Sequence, residues 1–250
     1  PFAAAIAVSL VYGLANFSAI YLYPIFGQLV QEYTPSAAGF LILPGAMFAV
    51  LILPFTGQFA DKVPVQFGIA IGISLFGVSN IILASSDIST MFWVVAALIV
   101  MGRIGLAFMT PSMMSASLST VPPEKLGEAS AIVNFMMLFG GAIGINALVV
   151  LLDRRTQLHS EALTSTQTSA NPATRELLDN VTRLLGEEGF AEALRSPVAL
   201  NYLGDMVHAQ ANTLGFQDGF IAIAVVAFLG LVPAAILHYT TRRGLGRDNV

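Results

Sequence analysis

Cysteine is absent from the 250 residues of the chain, which excludes disulfide bonds, zinc–thiolate sites and thiol catalysis. Charged residues are scarce at 10%, against roughly 25% in an ordinary soluble domain. Because so few charges cannot cover an apolar core with a polar surface, the composition excludes a soluble enzyme and a disordered chain. The formal net charge of −4 offers no basic surface for nucleic acid.

Catalytic and metal-binding motifs are also missing. The three histidines, His159, His208 and His238, lie far apart and lack the spacing of metal ligands. The sequence contains no nucleophile elbow, zinc-protease helix, phosphate loop or dinucleotide-binding glycine motif. We therefore predict that the protein is not an enzyme and needs no metal and no cofactor.

Apolar residues dominate what remains, at 56% of the chain with a mean hydropathy of +0.76. A membrane-spanning helix needs about 20 mostly apolar residues. The sequence has six such runs, at residues 2–26, 36–56, 66–85, 91–113, 128–152 and 216–238. Because the runs are continuous and do not alternate as barrel strands do, we predict an all-α integral membrane protein.

Charge divides the chain into segments. Residues 1–152 hold eight charged side chains, whereas the 63 residues 153–215 hold thirteen. We predict transmembrane helices one to five within 1–152 and an extracytoplasmic helical loop at 153–215. The last transmembrane helix then occupies 216–241, and 242–250 form a cytoplasmic tail.

Basic residues near the span ends indicate the orientation. Five lie on the side of the two termini: Lys62, Lys125, Arg242, Arg243 and Arg247. Arg154 and Arg155 lie on the opposite side. Because basic residues favour the cytoplasm, we predict that both ends of this segment are cytoplasmic.

The polar segment has helical patterns of its own. Asn171 and Pro172 predict a helix start, and the apolar residues that follow have amphipathic spacing. A second segment, 197–215, has one apolar side and is expected to run into the last span. We interpret the segment as a helical cap, with a role in binding a ligand or partner as the alternative.

The first span carries a polar stripe on an otherwise apolar helix. Its members are Ser9, Tyr12, Asn16 and Tyr23, which lie within about 60° of one another at 100° per residue. Polar side chains in a bilayer face protein or water. We expect either the wall of a substrate cavity or hydrogen bonds between helices, and for Tyr23 also a place in the interfacial aromatic belt.

Arg103 lies about 18 Å into the fourth span at 1.5 Å per residue. A cation at this depth costs about 2.5–3.5 kcal/mol on insertion scales unless it is paired or hydrated. Thr110 lies on the same helix face, and no carboxylate has a matching depth. The expected partner is therefore a missing half, an anionic ligand or cavity water, unless Arg103 bonds helix carbonyls.

The third and fifth spans carry small residues at a spacing typical of packed helices. Gly140 and Gly144 form a GxxxG motif, as do Gly68 and Gly72, and such motifs allow two helices to approach closely. Asn134 is a polar residue on a face of the fifth span. We take it as a further cavity candidate.

Three stretches resemble known transporters. The stretch 57–64, GQFADKVP, resembles the G-x-L-x-D-R-x-G-R-R loop between helices two and three in each half of the major facilitator superfamily. The stretches 33–40 and 122–144 resemble exporters of the EmrB/QacA type. The loop matches at Gly57, Asp61 and Lys62, whereas Pro64 stands in place of the usual glycine.

The resemblance implies a fold and a function. The chain would be the C-terminal six-helix half of a fourteen-helix drug:proton antiporter in the bacterial inner membrane. It would export organic compounds by alternating access. Its partners would be the lipid bilayer, the missing N-terminal six to eight helices, a small organic substrate and protons.

The resemblance also assigns roles to particular residues. The first and fourth helices of each half line the cavity in this superfamily, which implies that Tyr12, Asn16, Arg103 and Thr110 lie there. Asp61 would lie at the cytoplasmic start of the third helix and favour the inward-closed state, or would be an ordinary solvated acid.

Because arginine effectively never deprotonates, the proton-binding residue is expected in the missing half. One alternative function is a membrane-anchored binding or scaffold protein that acts through segment 153–215. Another is a half-transporter that works as a homodimer.

Overall fold

The structure is a computed structural model that describes residues 2–119 and 121–236, and for Asp61 the backbone alone. The predicted tail 242–250, with its three arginines, lies outside the described residues, as does His238. Every regular element of the described part is helical. The α-helices are α1 (Phe2–Leu29), α2 (Pro35–Lys62), α3 (Val65–Leu83), α4 (Phe92–Leu118), α5 (Leu126–Thr166), α6 (Pro172–Glu187) and α7 (Glu192–Leu229).

Six of the described helices are long and apolar enough to cross a membrane, which confirms the predicted all-α membrane fold. Two of them extend by more than ten residues beyond the predicted spans. Helix α5 continues from the expected end at 152 to Thr166, and α7 begins at Glu192 rather than at 216. In α5 the polarity changes near 152, but no proline or glycine interrupts 145–166, so the helical hydrogen bonds continue. In α7 the segment 197–215 runs into the last span, as predicted.

The described chain forms two compact units. One comprises residues 2–150 and 217–236, and the other is Leu151–Phe216. In the first unit α4 packs against α1, α2 and α3. Four large aromatic side chains, Tyr23, Phe26, Phe76 and Phe220, are fully buried there, and the rings of Phe26 and Phe220 meet edge to face at 5.2 Å.

Glycines set the helix spacing in the first unit. A Cβ atom at Gly72 would lie 2.6 Å from the Gly105 carbonyl oxygen, and one at Gly144 would lie 2.6 Å from that of Leu14. Gly140 similarly meets the backbone of Leu10. Both predicted GxxxG pairs therefore lie at close helix contacts, α3 with α4 and α5 with α1, where a side chain would force the backbones apart.

The second unit, Leu151–Phe216, consists of the end of α5, all of α6 and the first part of α7. The Asn171 side chain accepts a hydrogen bond from the Ala173 N–H at 3.0 Å, as its predicted capping position requires. Helix α6 then runs to Glu187, and Gly189 follows with a φ of 83°. Such a left-handed glycine is a common way to end a helix.

A polar centre between the first and fourth helices

The side chains of Arg103 and Asn16 meet at the contact between α1 and α4. The Arg103 Nη1 donates a hydrogen bond to the Asn16 Oδ1 at 3.1 Å. Each residue lies near the middle of its helix. The structure thus joins two features, the polar stripe of the first span and the deep arginine of the fourth, that are 87 residues apart in the chain.

The remainder of the Arg103 side chain lies against helix surfaces. Its Nε is buried and has no hydrogen-bond partner in the described part of the chain. Its Cγ would lie 3.0 Å from a Cβ atom at Gly45, so this glycine allows α2 to pack against the arginine stem. No carboxylate of the described residues pairs with Arg103, and Asn16 is neutral.

Tyr12 and Thr110 form a second contact between the same helices. Their hydroxyl oxygens are 3.1 Å apart, and the Thr110 Oγ1 is also 2.9 Å from the Leu106 carbonyl oxygen. Because Thr110 has one hydroxyl proton, it can serve both contacts only by donating to Leu106 and accepting from Tyr12. Two neutral hydroxyls therefore continue the polar centre along α1 and α4.

A third polar contact, between Tyr23 and Asn80, was not predicted from the sequence. The Tyr23 hydroxyl donates to the Asn80 Oδ1 at 3.4 Å, and the Asn80 Nδ2 donates to the Phe76 carbonyl at 2.8 Å. Both side chains are buried within the helix bundle, so Tyr23 does not lie in an interfacial belt. The available signal for Asn80 was an amide deep within the third span, whose other amide, Gln66, lies at the span's start.

Asn134 does not join this polar centre. Its side chain is exposed on α5 and makes no hydrogen bond to the described residues. A neighbouring part of the α5 surface packs on α1, where Gly13 meets the backbone of Met137. The structure therefore brings together Tyr12, Asn16, Arg103 and Thr110 but leaves Asn134 apart from them.

Comparison with known proteins identifies the family. The family model described as Major Facilitator Superfamily matches residues 1–145. The chain belongs to the major facilitator superfamily.

Individual relatives agree with the resemblance to EmrB/QacA-type exporters. The chain is 27% identical over 223 residues to the colistin resistance protein EmrB of Acinetobacter baumannii. This alignment covers 88% of the chain and 42% of that protein. It is 24% identical over 221 residues to the multidrug export protein EmrB of Haemophilus influenzae, which covers 88% of this chain and 41% of that protein. The chain thus spans less than half the length of these curated relatives.

The superfamily loop motif was predicted to lie between the second and third helices. Its matching residues belong instead to the end of α2. Asp61 belongs to the last turn of α2, and Val63 follows in extended conformation before Pro64. Because the residue before a proline avoids helical angles, α2 ends here and α3 starts at Val65. Asp61 thus belongs to the second helix, which corrects its predicted position at the start of the third helix. A Cβ atom at Gly57 would meet no neighbour.

Hydrogen bonds also hold the loop between α3 and α4, which lies at the other end of α3 from the superfamily motif. The Asp87 Oδ1 accepts from the Ser89 N–H at 2.9 Å, the Ser89 hydroxyl at 2.7 Å and the Thr90 hydroxyl at 3.0 Å. These bonds hold the pKa of Asp87 below its usual value. Gln31, next to the end of α1, donates to the Thr90 carbonyl at 2.8 Å.

Proposed function

We propose that the chain is the C-terminal six-helix half of a proton-coupled exporter of organic compounds that works by alternating access. The observation that carries this proposal is the polar centre in which Arg103 and Asn16 join α1 and α4 at mid-helix. In two-half transporters, binding sites lie near the middle of the membrane, between the two moving parts. The names of the two EmrB relatives, a colistin resistance protein and a multidrug export protein, support an exporter.

The polar contacts suit a site that changes conformation. Arg103–Asn16 and Tyr12–Thr110 are side-chain hydrogen bonds of 3.1 Å with a neutral acceptor. Such bonds between membrane helices average about 0.6 kcal/mol, so they can be exchanged for bonds to a substrate at little cost. In this proposal Asn134 contacts the substrate or the remainder of the transporter, since its side chain is exposed.

The orientation and segments belong to the same proposal. Both ends of the segment are cytoplasmic, which puts the loop with Gly57, Asp61 and Lys62 in the cytoplasm and the 153–215 segment outside. The protein is a multi-pass protein of the bacterial inner membrane. The remaining helices of the transporter complete the cavity.

Proton coupling requires a group that changes charge within the membrane, and Arg103 is unsuited because it stays protonated. The acids of this half lie near the ends of the predicted apolar spans or outside them, with Glu128 and Asp218 each at the start of a predicted span. We therefore assign the proton-binding group to the part of the transporter outside this chain. Coupling that depended on Glu128 or Asp218 alone, in a mutant scan of the whole transporter, would contradict this assignment.

Transport by everted membrane vesicles tests the function. Vesicles that carry the natural chain containing residues 1–250 should accumulate a panel of lipophilic compounds when acidified inside, and an uncoupler should abolish the accumulation. Asn16→Ala should lower the rate, whereas Ser85→Ala, which alters an exposed loop hydroxyl, should not. Accumulation that is absent from all vesicles, or unaffected by the uncoupler, would refute a proton-driven exporter.

The second candidate function is a binding protein that acts through Leu151–Phe216. The observation that favours it is that this unit is compact by itself and exposes large apolar side chains, including Phe190, Tyr202 and Met206. Substitution of these three by serine should then abolish the activity while Asn16→Ala leaves it intact. The exporter proposal expects transport to depend on Asn16.

A further inference from the structure

The polar centre carries an unbalanced positive charge. Among the described residues, α1, α3 and α4 contain one charged side chain, Arg103. Helix α2 has charges only in its last turn, at Asp61 and Lys62. Residues 126–150 of α5 have one charge, Glu128 in the first turn, and residues 217–236 have one, Asp218. The electrostatic potential that this half contributes at mid-membrane is therefore positive.

The guanidinium also has unused hydrogen-bonding capacity. It has five N–H donors, and the one contact to a side chain goes from Nη1 to the Asn16 Oδ1. The buried Nε–H has no acceptor among the described residues. The Arg103 stem packs against α2 at Gly45, where a Cβ atom would lie 3.0 Å from the Arg103 Cγ.

A planar anion supplies both the negative charge and the hydrogen-bond acceptors that Arg103 lacks. A carboxylate can accept two parallel N–H bonds from one guanidinium and neutralises its charge. Neutral amides supply acceptors but no charge, and a cationic compound would be repelled in a medium where charge interactions are strong.

We propose that Arg103, with Asn16 beside it, binds the anionic group of the transported compound, so that the substrates of this transporter are organic anions with an apolar body. The inference rests on the proposed function of export and adds the chemical class of the substrate. Asn16 holds the guanidinium in position through its Oδ1, and the remaining N–H groups of the guanidinium bind the anion.

A matched pair of compounds provides the test. The probes are 2-naphthoate and its neutral analogue 2-naphthamide, which share the apolar body and differ in charge. Binding of each labelled probe to the purified natural chain, and its uptake by everted vesicles, gives a selectivity ratio of acid over amide. Arg103→Gln should lower this ratio about tenfold or more, the change expected from loss of a bond to a charged partner.

Two substitutions of Asn16 separate substrate binding from a structural role. Asn16→Asp would supply an internal carboxylate about where the Oδ1 now lies, so it should occupy the guanidinium and lower the ratio about tenfold. Asn16→Ala removes the contact without adding charge and should lower the ratio less. If the contact serves only to hold the helices together, Asn16→Asp should preserve function better than Asn16→Ala, which would overturn the inference.

The remaining outcomes are also decisive. Equal loss of acid and amide transport in Arg103→Gln would mean that Arg103 pairs with a carboxylate of the transporter itself. Export of the amide without the acid by the unsubstituted protein would exclude an anion site. Both results leave the exporter proposal intact. Absence of export for a wider panel of acids, amides and amines would instead refute the exporter proposal and the inference with it. Ser85→Ala should leave all ratios unchanged.

Discussion

The two compact units use charged residues in opposite ways. In Leu151–Phe216 the charges lie on exposed helix surfaces, as in the pair Arg183–Glu187, whose side chains are 2.7 Å apart and each 60% exposed. In the first unit Arg103, at the middle of α4, is half-buried and contacts a neutral amide. Exposed ion pairs contribute little, whereas a deep cation must be balanced. The same chemical group is therefore part of the surface in one unit and a candidate site in the other.

The units also differ in what holds their helices. Helix α6 begins with a side-chain cap at Asn171 and ends near a left-handed glycine, devices that satisfy exposed helix ends. In the first unit, Gly72 and Gly105 instead bring α3 and α4 into backbone contact. We expect substitutions at helix interfaces to dominate stability in the first unit and substitutions at helix ends to matter in the second.

Gly72→Leu should have the most severe consequence. A Cβ atom there would lie 2.6 Å from the Gly105 carbonyl oxygen and 2.8 Å from the Met109 Cβ, and backbone atoms cannot move aside cheaply. Overpacking of this kind costs about 1–3 kcal/mol or more. The yield of monodisperse protein in detergent, measured by size-exclusion chromatography, should collapse. Gly39→Leu is the control, because a Cβ atom there meets no neighbour, and equal yields of the two variants would contradict the packing.

Asn171→Ala tests the helix ends of the second unit. Loss of the cap to the Ala173 N–H should cost about 1 kcal/mol. Amide hydrogen exchange in α6 should then accelerate about fivefold, with no change in α3 or α4. Asn201→Ala, an exposed position within α7, serves as the control. Exchange that accelerates equally in both units would show that they do not respond separately.

Asp87→Asn tests the loop between α3 and α4. The pKa of Asp87 is lowered in the folded protein, so its contribution to stability is present above the unfolded pKa of about 3.9 and is lost as the pH falls through the lowered pKa. The wild type should therefore melt above Asp87→Asn at pH 7, and the two melting temperatures should converge in acid. A difference that is the same at pH 7 and pH 3 would assign the effect to shape and not to charge.

Arg183→Ala should have the smallest effect. The pair with Glu187 is exposed and has i, i+4 spacing, which contributes at most about 0.5 kcal/mol. The melting temperature should be unchanged within error at 150 mM salt. A clear loss of stability would mean that surface charges support the second unit more than their exposure indicates.

Much of the fold could be predicted from local patterns. Runs of apolar residues predicted six membrane helices, and Asn171 with Pro172 predicted the start of α6, because span length and helix capping depend on nearby residues. Helices α5 and α7 extend beyond the predicted spans at 152 and 216, since a change in polarity does not break a helix. The predicted position of Asp61 at the start of the third helix was wrong. Pro64 keeps Val63 extended, so α2 ends just before Val63 and includes Asp61.

The candidate site shows the same division. Composition and periodicity singled out Asn16 on one helix and Arg103 on another, since rare polar residues stand out against an apolar background. Their hydrogen bond, the second contact through Tyr12 and Thr110, and the burial of Asn80 could not be read from the chain, because each depends on which helices are neighbours. Periodicity gives the direction of a side chain around its own helix, whereas packing across glycines determines what that side chain meets.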